Sequence, residues 1–121
     1  IRGGCLGWGI GGALGVKLAR PDRPVVGIIG DGSAMYSIQG LWTAVHYDLP
    51  VVYVICNNRS YRILKQFLID HYYPALGIED RKSEYIGMNF LKQPLDCAGV
   101  AEGFGVKGFR VEQPDELRST L

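Results

Sequence analysis

The alternation of short apolar runs with segments of helical periodicity predicts an α/β fold for this chain. Two runs, Val25–Ile29 and Val51–Cys56, are continuous and rich in β-branched residues, which is typical of strands buried on both faces. Segments with apolar residues at helical spacing flank these runs, and turns containing proline or glycine separate them. We therefore expect a three-layer domain in which a parallel sheet lies between helices on both faces.

The remaining elements follow from local periodicity and from the residues that end each segment. A glycine-rich helix over Cys5–Leu18 is expected to end before the two prolines of residues 20–24. A third strand is expected at Gly105–Val111, whereas residues 70–93 lack a clear period and are expected to form a long loop. Further helices are expected, in chain order, at Ser37–Tyr47, Tyr61–Ile69, Pro94–Glu102 and from Pro114 onward.

The composition is that of an ordinary globular domain. With 121 residues, of which 47% are hydrophobic and 21% charged, the chain is long enough for one core and too apolar to be disordered. We therefore expect a single domain over residues 1–121. The net charge of +1 provides no basic surface for nucleic acid or an anionic membrane, and the longest apolar run is six residues. We expect neither nucleic acid nor a membrane among the partners.

The cysteines indicate a reducing environment. Cys5, Cys56 and Cys97 are odd in number and widely separated, which fits neither a disulfide framework nor the spacing of zinc ligands. We expect three small buried thiols in a cytoplasmic protein.

Glycine is the compositional outlier, with 17 residues, and one group of glycines matches a known nucleotide-binding spacing. Gly7, Gly9 and Gly12 fit the pattern G-x-G-x-x-G, and Asp31 follows about 20 residues later, as in the dinucleotide fingerprint. That fingerprint requires a preceding strand, which the residues before Gly7 do not predict. We expect a helix packed closely on its neighbours through glycine, with an NAD-binding Rossmann domain as an alternative.

A second glycine motif lies in a more informative position. Gly30, Asp31, Gly32 and Ser33 follow a predicted strand and lead into a helix, at the sheet edge where open α/β sheets bind ligands. Gly32 lets an anion approach the backbone, and the amide and hydroxyl of Ser33 can bind it. A carboxylate beside a phosphate is repelled unless a cation lies between them. The motif therefore indicates a divalent metal, for which Mg²⁺ is the natural candidate.

The next predicted strand supplies further oxygen ligands. Asn58 lies 27 residues after Asp31, an interval that holds one helix and one strand. If the two strands are neighbours, their carboxyl ends lie roughly 5 Å apart. The side-chain amide of Asn58 and a turn carbonyl such as that of Ser60 would complete a metal site without adding negative charge.

The pattern Gly30-Asp31-Gly32, then 24 residues, then Asn57-Asn58 resembles the GDG…NN signature of thiamine diphosphate enzymes. The resemblance extends from Gly3 to Val106 and is to the diphosphate-binding domain of the decarboxylase and acetolactate synthase group. It implies that thiamine diphosphate and Mg²⁺ are the cofactors. It assigns the metal to Asp31, Asn58 and the Ser60 carbonyl. The cofactor-binding set that it implies is Gly30, Asp31, Gly32, Ser33, Asn58, Ser60, Tyr61 and Ile63.

Residues 57–64 are similar to the same stretch of benzoylformate decarboxylases, which carry a Tyr and a Leu at the positions of Tyr61 and Leu64. Pyruvate and indolepyruvate decarboxylases carry a catalytic Glu at the position of Leu64. Ile63 and Leu64 would face an apolar substrate side chain, with a place in the helix core as the alternative. Arg59 departs from the Gly or Asp of many relatives.

The histidines and the charged loop are weaker candidates. His46 is expected to be a partly exposed helix residue rather than a base, and His71 would approach a substrate only if the long loop closes. Glu79, Asp80, Arg81, Lys82 and Glu84 are expected to form a solvated loop surface.

The resemblance implies the Mg²⁺ and thiamine diphosphate binding domain of a 2-oxo acid decarboxylase or carboligase, a carboxy-lyase that breaks or forms C–C bonds through the cofactor ylid. An acetolactate synthase-like transferase and a non-catalytic assembly domain are the alternatives. In the family the catalytic Glu comes from a pyrimidine-binding domain of the same or a partner chain. We therefore assign no catalytic residue here and expect a fragment of a longer, homo-oligomeric enzyme, a dimer or tetramer, that is inactive in isolation.

Overall fold

The computed structural model describes residues 5–79 and 85–121, and in it the chain divides into two compact units. The first unit contains the chain up to Cys56 together with Asp96–Leu121, and the second is Asn57–Leu95. In chain order the elements are α1 Trp8–Ala19, β1 Val26–Gly30, α2 Asp31–Ala34, α3 Gly40–His46, β2 Val52–Cys56, α4 Arg62–Phe67, a π-helical segment Leu68–Tyr72, α5 Tyr73–Ala75, α6 Cys97–Gly103 and α7 Glu116–Thr120.

The predicted parallel pairing of the first two strands is confirmed. Val26 pairs with Val52 at one end of the ladder, and Gly30 pairs with Cys56 at the other. The connection between them contains α3, which is the crossover that a parallel pair requires. Both strands therefore end level with each other, at the edge where Asp31 continues the chain after β1. The fold is α/β with a parallel sheet and helices around it, as predicted.

The core lies on one face of this sheet. Ile10 of α1, Ile29 of β1 and Ala34 of α2 are buried together, with Tyr53 and other partly buried side chains packed against them. The Tyr53 hydroxyl donates a hydrogen bond to the carbonyl of Ile10, at 3.1 Å. Burial raises the pKa of the Tyr53 phenol to about 12. The same side chain therefore joins β2 to α1 by packing and by a hydrogen bond.

The other face of the sheet corrects the prediction that both strands are buried on both sides. Successive strand side chains point to opposite faces, so Val26 and Ile28 lie opposite the core. Their exposed fractions are 57% and 75%. Helices α1 and α2 contact β1 on the Ile29 side. A continuous apolar run thus indicates that both faces are hydrophobic, although among residues 5–79 and 85–121 the buried core lies on one of them.

The predicted helix over Ser37–Tyr47 is shorter in the structure, where α3 begins at Gly40. Before α3, the amides of Gly40 and Leu41 donate hydrogen bonds to carbonyls only three residues earlier, which marks turns rather than an α-helix. Gly40 is needed for packing, because a Cβ there would lie 2.8 Å from the side chain of Ile10. Glycine at this position lets α3 approach α1 closely.

The predicted third strand at Gly105–Val111 is wrong. Within the described residues the sheet has two strands, and this segment packs on α6 instead. A Cβ at Gly108 would lie 2.5 Å from the carbonyl oxygen of Ala98, so only glycine permits the contact. Arg110 forms an ion pair with Asp96, at 2.8 Å. The Asp96 carboxylate also accepts a hydrogen bond from the Gly99 amide and caps α6, which begins at Cys97 rather than at Pro94.

Two further predictions need correction. Cys5 and Cys56 are exposed rather than buried, and Cys97 is half-buried; all three thiols are free. The helix predicted over Tyr61–Ile69 is continued by the π-helical segment and α5, so helical structure extends to Ala75 where a loop was predicted. None of the helices in residues 5–79 and 85–121 combines the length and hydropathy needed to cross a bilayer.

We expect stability to fall between pH 10 and about pH 12 because of Tyr53. Its pKa is raised in the folded chain, so the neutral phenol stabilises the fold below pH 10, and this contribution is lost as the phenol ionises near pH 12. Tyr53→Phe should lower the free energy of unfolding at pH 8 by about 1 kcal/mol, through the lost hydrogen bond, and flatten the alkaline fall. Chemical denaturation at several pH values measures both effects. Tyr47→Phe is the exposed control, and an unchanged alkaline profile for Tyr53→Phe would contradict the expectation.

Candidate functional site

The site begins where β1 ends. Gly30 has an extended backbone, with φ −72° and ψ 148°, and α2 begins at the next residue. Asp31 and Gly32 are buried in the first turn of this helix, and Ser33 is partly buried. The strand-to-helix junction therefore presents the Gly-Asp-Gly-Ser motif at the carboxyl edge of the sheet, as predicted.

Gly30 lies beside open space. A Cβ at this position would meet no atom within 4 Å among the described residues, and the backbone conformation is one that any residue adopts. Neither local packing nor backbone strain therefore explains glycine here. An approaching ligand would explain it, which fits the predicted diphosphate contact.

Ser33 is held by the glycine motif at the start of α1. The Gly7 amide donates a hydrogen bond to Ser33 Oγ, at 3.0 Å, and Ser37 Oγ donates one to the Gly7 carbonyl. Gly7 has φ +87°, and a Cβ there would lie 2.7 Å from the Cβ of Tyr36. The two glycine motifs therefore meet in space, which the sequence did not predict.

The alternative use of the Gly7 motif in a dinucleotide site finds no support in the structure. Residues 5–7 form no strand, so the glycines are not aimed by a preceding strand end. Gly9 instead lies against β1, since a Cβ there would be 3.1 Å from the Ile29 side chain. Part of the motif thus serves close packing, as predicted, although Gly11 and Gly15 border open space.

Asp31 is the chemically distinctive residue of the first unit. Its exposed fraction is 1%, and its Oδ2 atom has no hydrogen-bond partner within the described part of the chain. Burying a carboxylate oxygen without a partner is costly, so native structures rarely retain one without a bound group. The arrangement fits a hard divalent cation, which binds carboxylate oxygens.

The surroundings of Asp31 contain little competing chemistry. Burial raises the pKa of the Cys97 thiol, and the negative charges of Asp31 and Asp96 raise it further, so the thiol stays protonated near the site. In residues 5–79 and 85–121, no three His, Cys, Asp or Glu side chains gather into a metal cluster. Amides, carbonyls, phosphate and water are the ligands that could complete the coordination of a cation at Asp31.

The second unit carries the predicted Asn58 and Ser60 ligands in a strained turn. Arg59 has φ +57°, in the left-handed region, and its amide donates to the Asn57 side chain, at 3.1 Å. Glycine and asparagine adopt this conformation most readily. The Gly that the resemblance implies for many relatives at this position would adopt the conformation with less strain than Arg59 does.

The remaining residues of this turn are placed by α4. Tyr61 is partly buried and its ring meets Phe90 edge-on, with centroids 4.8 Å apart. Ile63 is 69% exposed, so the alternative that placed it in the helix core is wrong, and Leu64 is also exposed. Both side chains are therefore available for contact with another molecule.

The other candidates take minor roles. His46 is exposed and stacks on Trp42, at 4.6 Å between ring centroids, as expected of a surface helix residue. His71 is exposed and lies against Phe67. Glu79 is exposed, whereas the rest of the predicted charged surface, at positions 80–84, lies outside the described residues.

The predicted site residues thus fall into two groups. Asp31, Gly32 and Ser33 lie in the first unit, whereas Asn58, Ser60, Tyr61 and Ile63 lie in the second. Within the first unit, β1 and β2 end level with each other, as the prediction assumed. The three-residue metal set itself stays a prediction.

Comparison with known proteins identifies the family. Residues 2–121 match the model of the thiamine pyrophosphate enzyme, C-terminal TPP binding domain. The chain belongs to this family. The resemblance stated from the GDG…NN spacing is therefore confirmed, and thiamine diphosphate is the cofactor of the domain.

The relatives differ in the reactions that their names describe. The chain is 38% identical over 119 residues to benzoylformate decarboxylase of Pseudomonas aeruginosa, covering 98% of the chain and 20% of that protein. It is 38% identical over 118 residues to the acetolactate synthase large subunit of Haemophilus influenzae, covering 98% and 19%. The 4-hydroxybenzoylformate decarboxylase structure from Rhodococcus jostii RHA1 superposes with a TM-score of 0.77 at 38% identity, over 94% of the chain and 20% of that structure. The chain thus spans about a fifth of the length of these relatives.

We expect Arg59→Gly to stabilise the chain. Glycine relieves the strain of an L-residue in the left-handed region, which costs about 1–2 kcal/mol. Part of this gain is lost, because glycine also increases the conformational entropy of the unfolded chain. The net increase in the free energy of unfolding should be about 0.5–1 kcal/mol by chemical denaturation. Arg62→Gly, at the first position of α4, is the control and should destabilise. A loss of stability in Arg59→Gly would show that the Arg59 side chain contributes more than its backbone costs.

Proposed function

We propose that this chain forms the Mg²⁺ and diphosphate-binding part of a thiamine diphosphate-dependent 2-oxo acid decarboxylase or carboligase, of the benzoylformate decarboxylase kind. The observation that carries the proposal is the buried Oδ2 of Asp31, which has no partner within the described residues and lies at the sheet edge beside Gly30. A site of this kind is incomplete without a cation.

Each ligand has a definite electrostatic role. Asp31 contributes a single negative charge, and Asn58 and the Ser60 carbonyl contribute neutral oxygens. A dication held in this way keeps a net positive charge, which attracts a diphosphate. Gly30 borders open space and leaves its backbone accessible to phosphate oxygens. Ser33 accepts its hydrogen bond from Gly7, so its hydroxyl proton can be donated to the diphosphate.

The choice of reaction rests on the residues after the metal-binding turn. When bound, thiamine diphosphate supplies the carbon nucleophile and the electron sink of the reaction. This chain orients the cofactor through its diphosphate, and the exposed Ile63 and Leu64 offer an apolar surface to the substrate side chain. An aryl or alkyl 2-oxo acid fits such a surface better than a substrate with a charged side chain.

An acetolactate synthase-like transferase is the second candidate. This candidate is favoured because the chain has the same sequence identity, 38%, to an acetolactate synthase large subunit as to a benzoylformate decarboxylase. The two candidates differ in product. With pyruvate, both enzymes release carbon dioxide, but a synthase joins the remaining two-carbon unit to a second pyruvate, whereas a decarboxylase releases it as an aldehyde.

The proposal includes partners beyond the chain. Because the chain spans about a fifth of its relatives' length, the other half of the cofactor site would belong to a pyrimidine-binding domain in the same or a partner chain. We place the whole protein in the cytoplasm as a homo-oligomer, a dimer or tetramer.

Asp31→Asn tests the metal site in the full-length protein that contains the chain. We expect Mg²⁺-dependent thiamine diphosphate binding, measured by calorimetry, to weaken about 100-fold or more, since even residues that only support metal ligands account for 10–100-fold. Without metal, the variant should gain about 1 kcal/mol of stability, because a buried charge without a partner is removed. The exposed Asp22→Asn is the control. Equal cofactor affinity in Asp31→Asn and the original protein would refute the site.

The isolated chain should be catalytically silent. We assign it no catalytic residue, so the purified 121 residues with Mg²⁺ and thiamine diphosphate should release no carbon dioxide from benzoylformate or pyruvate above the enzyme-free rate. Carbon dioxide release is measured directly, with the full-length protein as positive control. Turnover by the isolated chain would contradict the requirement for a second domain.

A further inference from the structure

The turn that carries Ser60 is bonded to a segment nearly thirty residues further along the chain. Ser60 and Asn89 form an isolated antiparallel bridge. We call residues 88–90 (Met88, Asn89 and Phe90) the anchor segment. Both the turn and the anchor segment belong to the second unit, so their contacts are internal to it.

Three hydrogen bonds hold the turn against the anchor segment. The Tyr61 amide donates to the Met88 carbonyl, at 3.0 Å, and Ser60 Oγ donates to the same carbonyl, at 3.0 Å. In the other direction, the Phe90 amide donates to the Arg59 carbonyl, at 2.9 Å. The backbone is therefore fixed on both sides of Ser60.

This arrangement determines where the Ser60 carbonyl points. The structure contains no cis peptide bond among its described residues, and in a trans peptide the carbonyl and the following amide point in opposite directions. The Tyr61 amide points at Met88, so the Ser60 carbonyl points away from the anchor segment. A carbonyl aimed in this way is not used by the anchor segment and can serve as a ligand.

Side chains in and next to α4 also contact the anchor segment. The Lys65 ammonium donates a hydrogen bond to Asn89 Oδ1 and lies over the Tyr85 ring, 5.5 Å from its centroid. The Tyr61 and Phe90 rings pack edge to face. The anchor segment is thus connected to the turn through the backbone and to α4 through side chains.

We propose that the Ser60 hydroxyl, Asn89 and Lys65 are positioning residues that aim the Ser60 carbonyl at the metal. The inference rests on the proposed function, which makes this carbonyl a metal ligand. A ligand that is already oriented loses less conformational freedom on binding, so the anchor contacts increase metal affinity without touching the ion. By linkage, a bound metal stabilises the same contacts.

The test is a Mg²⁺ titration of the full-length protein at a fixed thiamine diphosphate concentration. Ser60→Ala keeps the carbonyl but removes the hydrogen bond to Met88, and should weaken Mg²⁺ binding about fivefold. Ser60→Thr keeps a hydroxyl and should restore the affinity. Cofactor affinity at saturating Mg²⁺ should change little in either variant, which a general loss of structure would not reproduce.

The side-chain contacts are tested by a double-mutant cycle on two residues that the proposal places away from the ion. Lys65→Met and Asn89→Leu should each weaken Mg²⁺ binding, and the double variant should be no weaker than either, because both remove one contact. Gln66→Ala is the matched control, because Gln66 lies on the same helix and its side chain donates to Asp70 of the π-helical segment. Amide hydrogen exchange at Tyr61 and Phe90 should slow when Mg²⁺ and the cofactor are added.

The outcomes separate this inference from the proposed function. If Asp31→Asn leaves metal-dependent binding intact, the proposed function fails. If Asp31→Asn abolishes binding while Ser60→Ala, Lys65→Met and Asn89→Leu bind Mg²⁺ normally, the metal site stands and the positioning role is wrong. Should Ser60→Ala fail to fold, Lys65→Met and Asn89→Leu decide the question, and unchanged affinity in both overturns it.

Discussion

The parallel register of β1 and β2 is the constraint on which the first unit depends. Pairing Gly30 with Cys56 makes both strands end at the same level, so the chain leaves the sheet twice at one edge. A shift of one residue would move Ile29 from the core face to the exposed face and leave Ile10 without its partner. The core contacts therefore fix the register, and the register fixes where Asp31 lies.

The packing beneath Asp31 explains how the fold tolerates a buried carboxylate. Ile10, Ile29 and Ala34 form the core directly around the strand-to-helix junction. Gly7 adds a hydrogen bond to Ser33, so the turn is held from the side of α1 as well. These contacts offset the destabilising effect of the unpartnered oxygen of Asp31. Functional sites are commonly maintained in this way, at some cost in stability.

Local patterns predicted the parts of the structure that local chemistry determines, and missed those that depend on distant contacts. The paired strands followed from apolar runs of a few residues, and the family followed from the GDG…NN spacing, because both can be read directly from the order of residues. The third strand failed because Gly105–Val111 has strand-forming residues but packs on Ala98 through Gly108. The hydrogen bond between Gly7 and Ser33 joins residues 26 positions apart, and no periodic pattern in the sequence predicts it.

The charge of the chain supports the proposed role of a cation at the sheet edge. The net charge is +1, and Arg and Lys are balanced by Asp and Glu, so the composition gives no general attraction for a diphosphate. At the sheet edge the buried charge is that of Asp31, which by itself would repel a diphosphate. In the proposed site a divalent ion would reverse the sign at that point, and neutral amide and carbonyl ligands would preserve the reversal. If the proposal holds, anion binding at this edge depends on the metal rather than on the electrostatics of the surface.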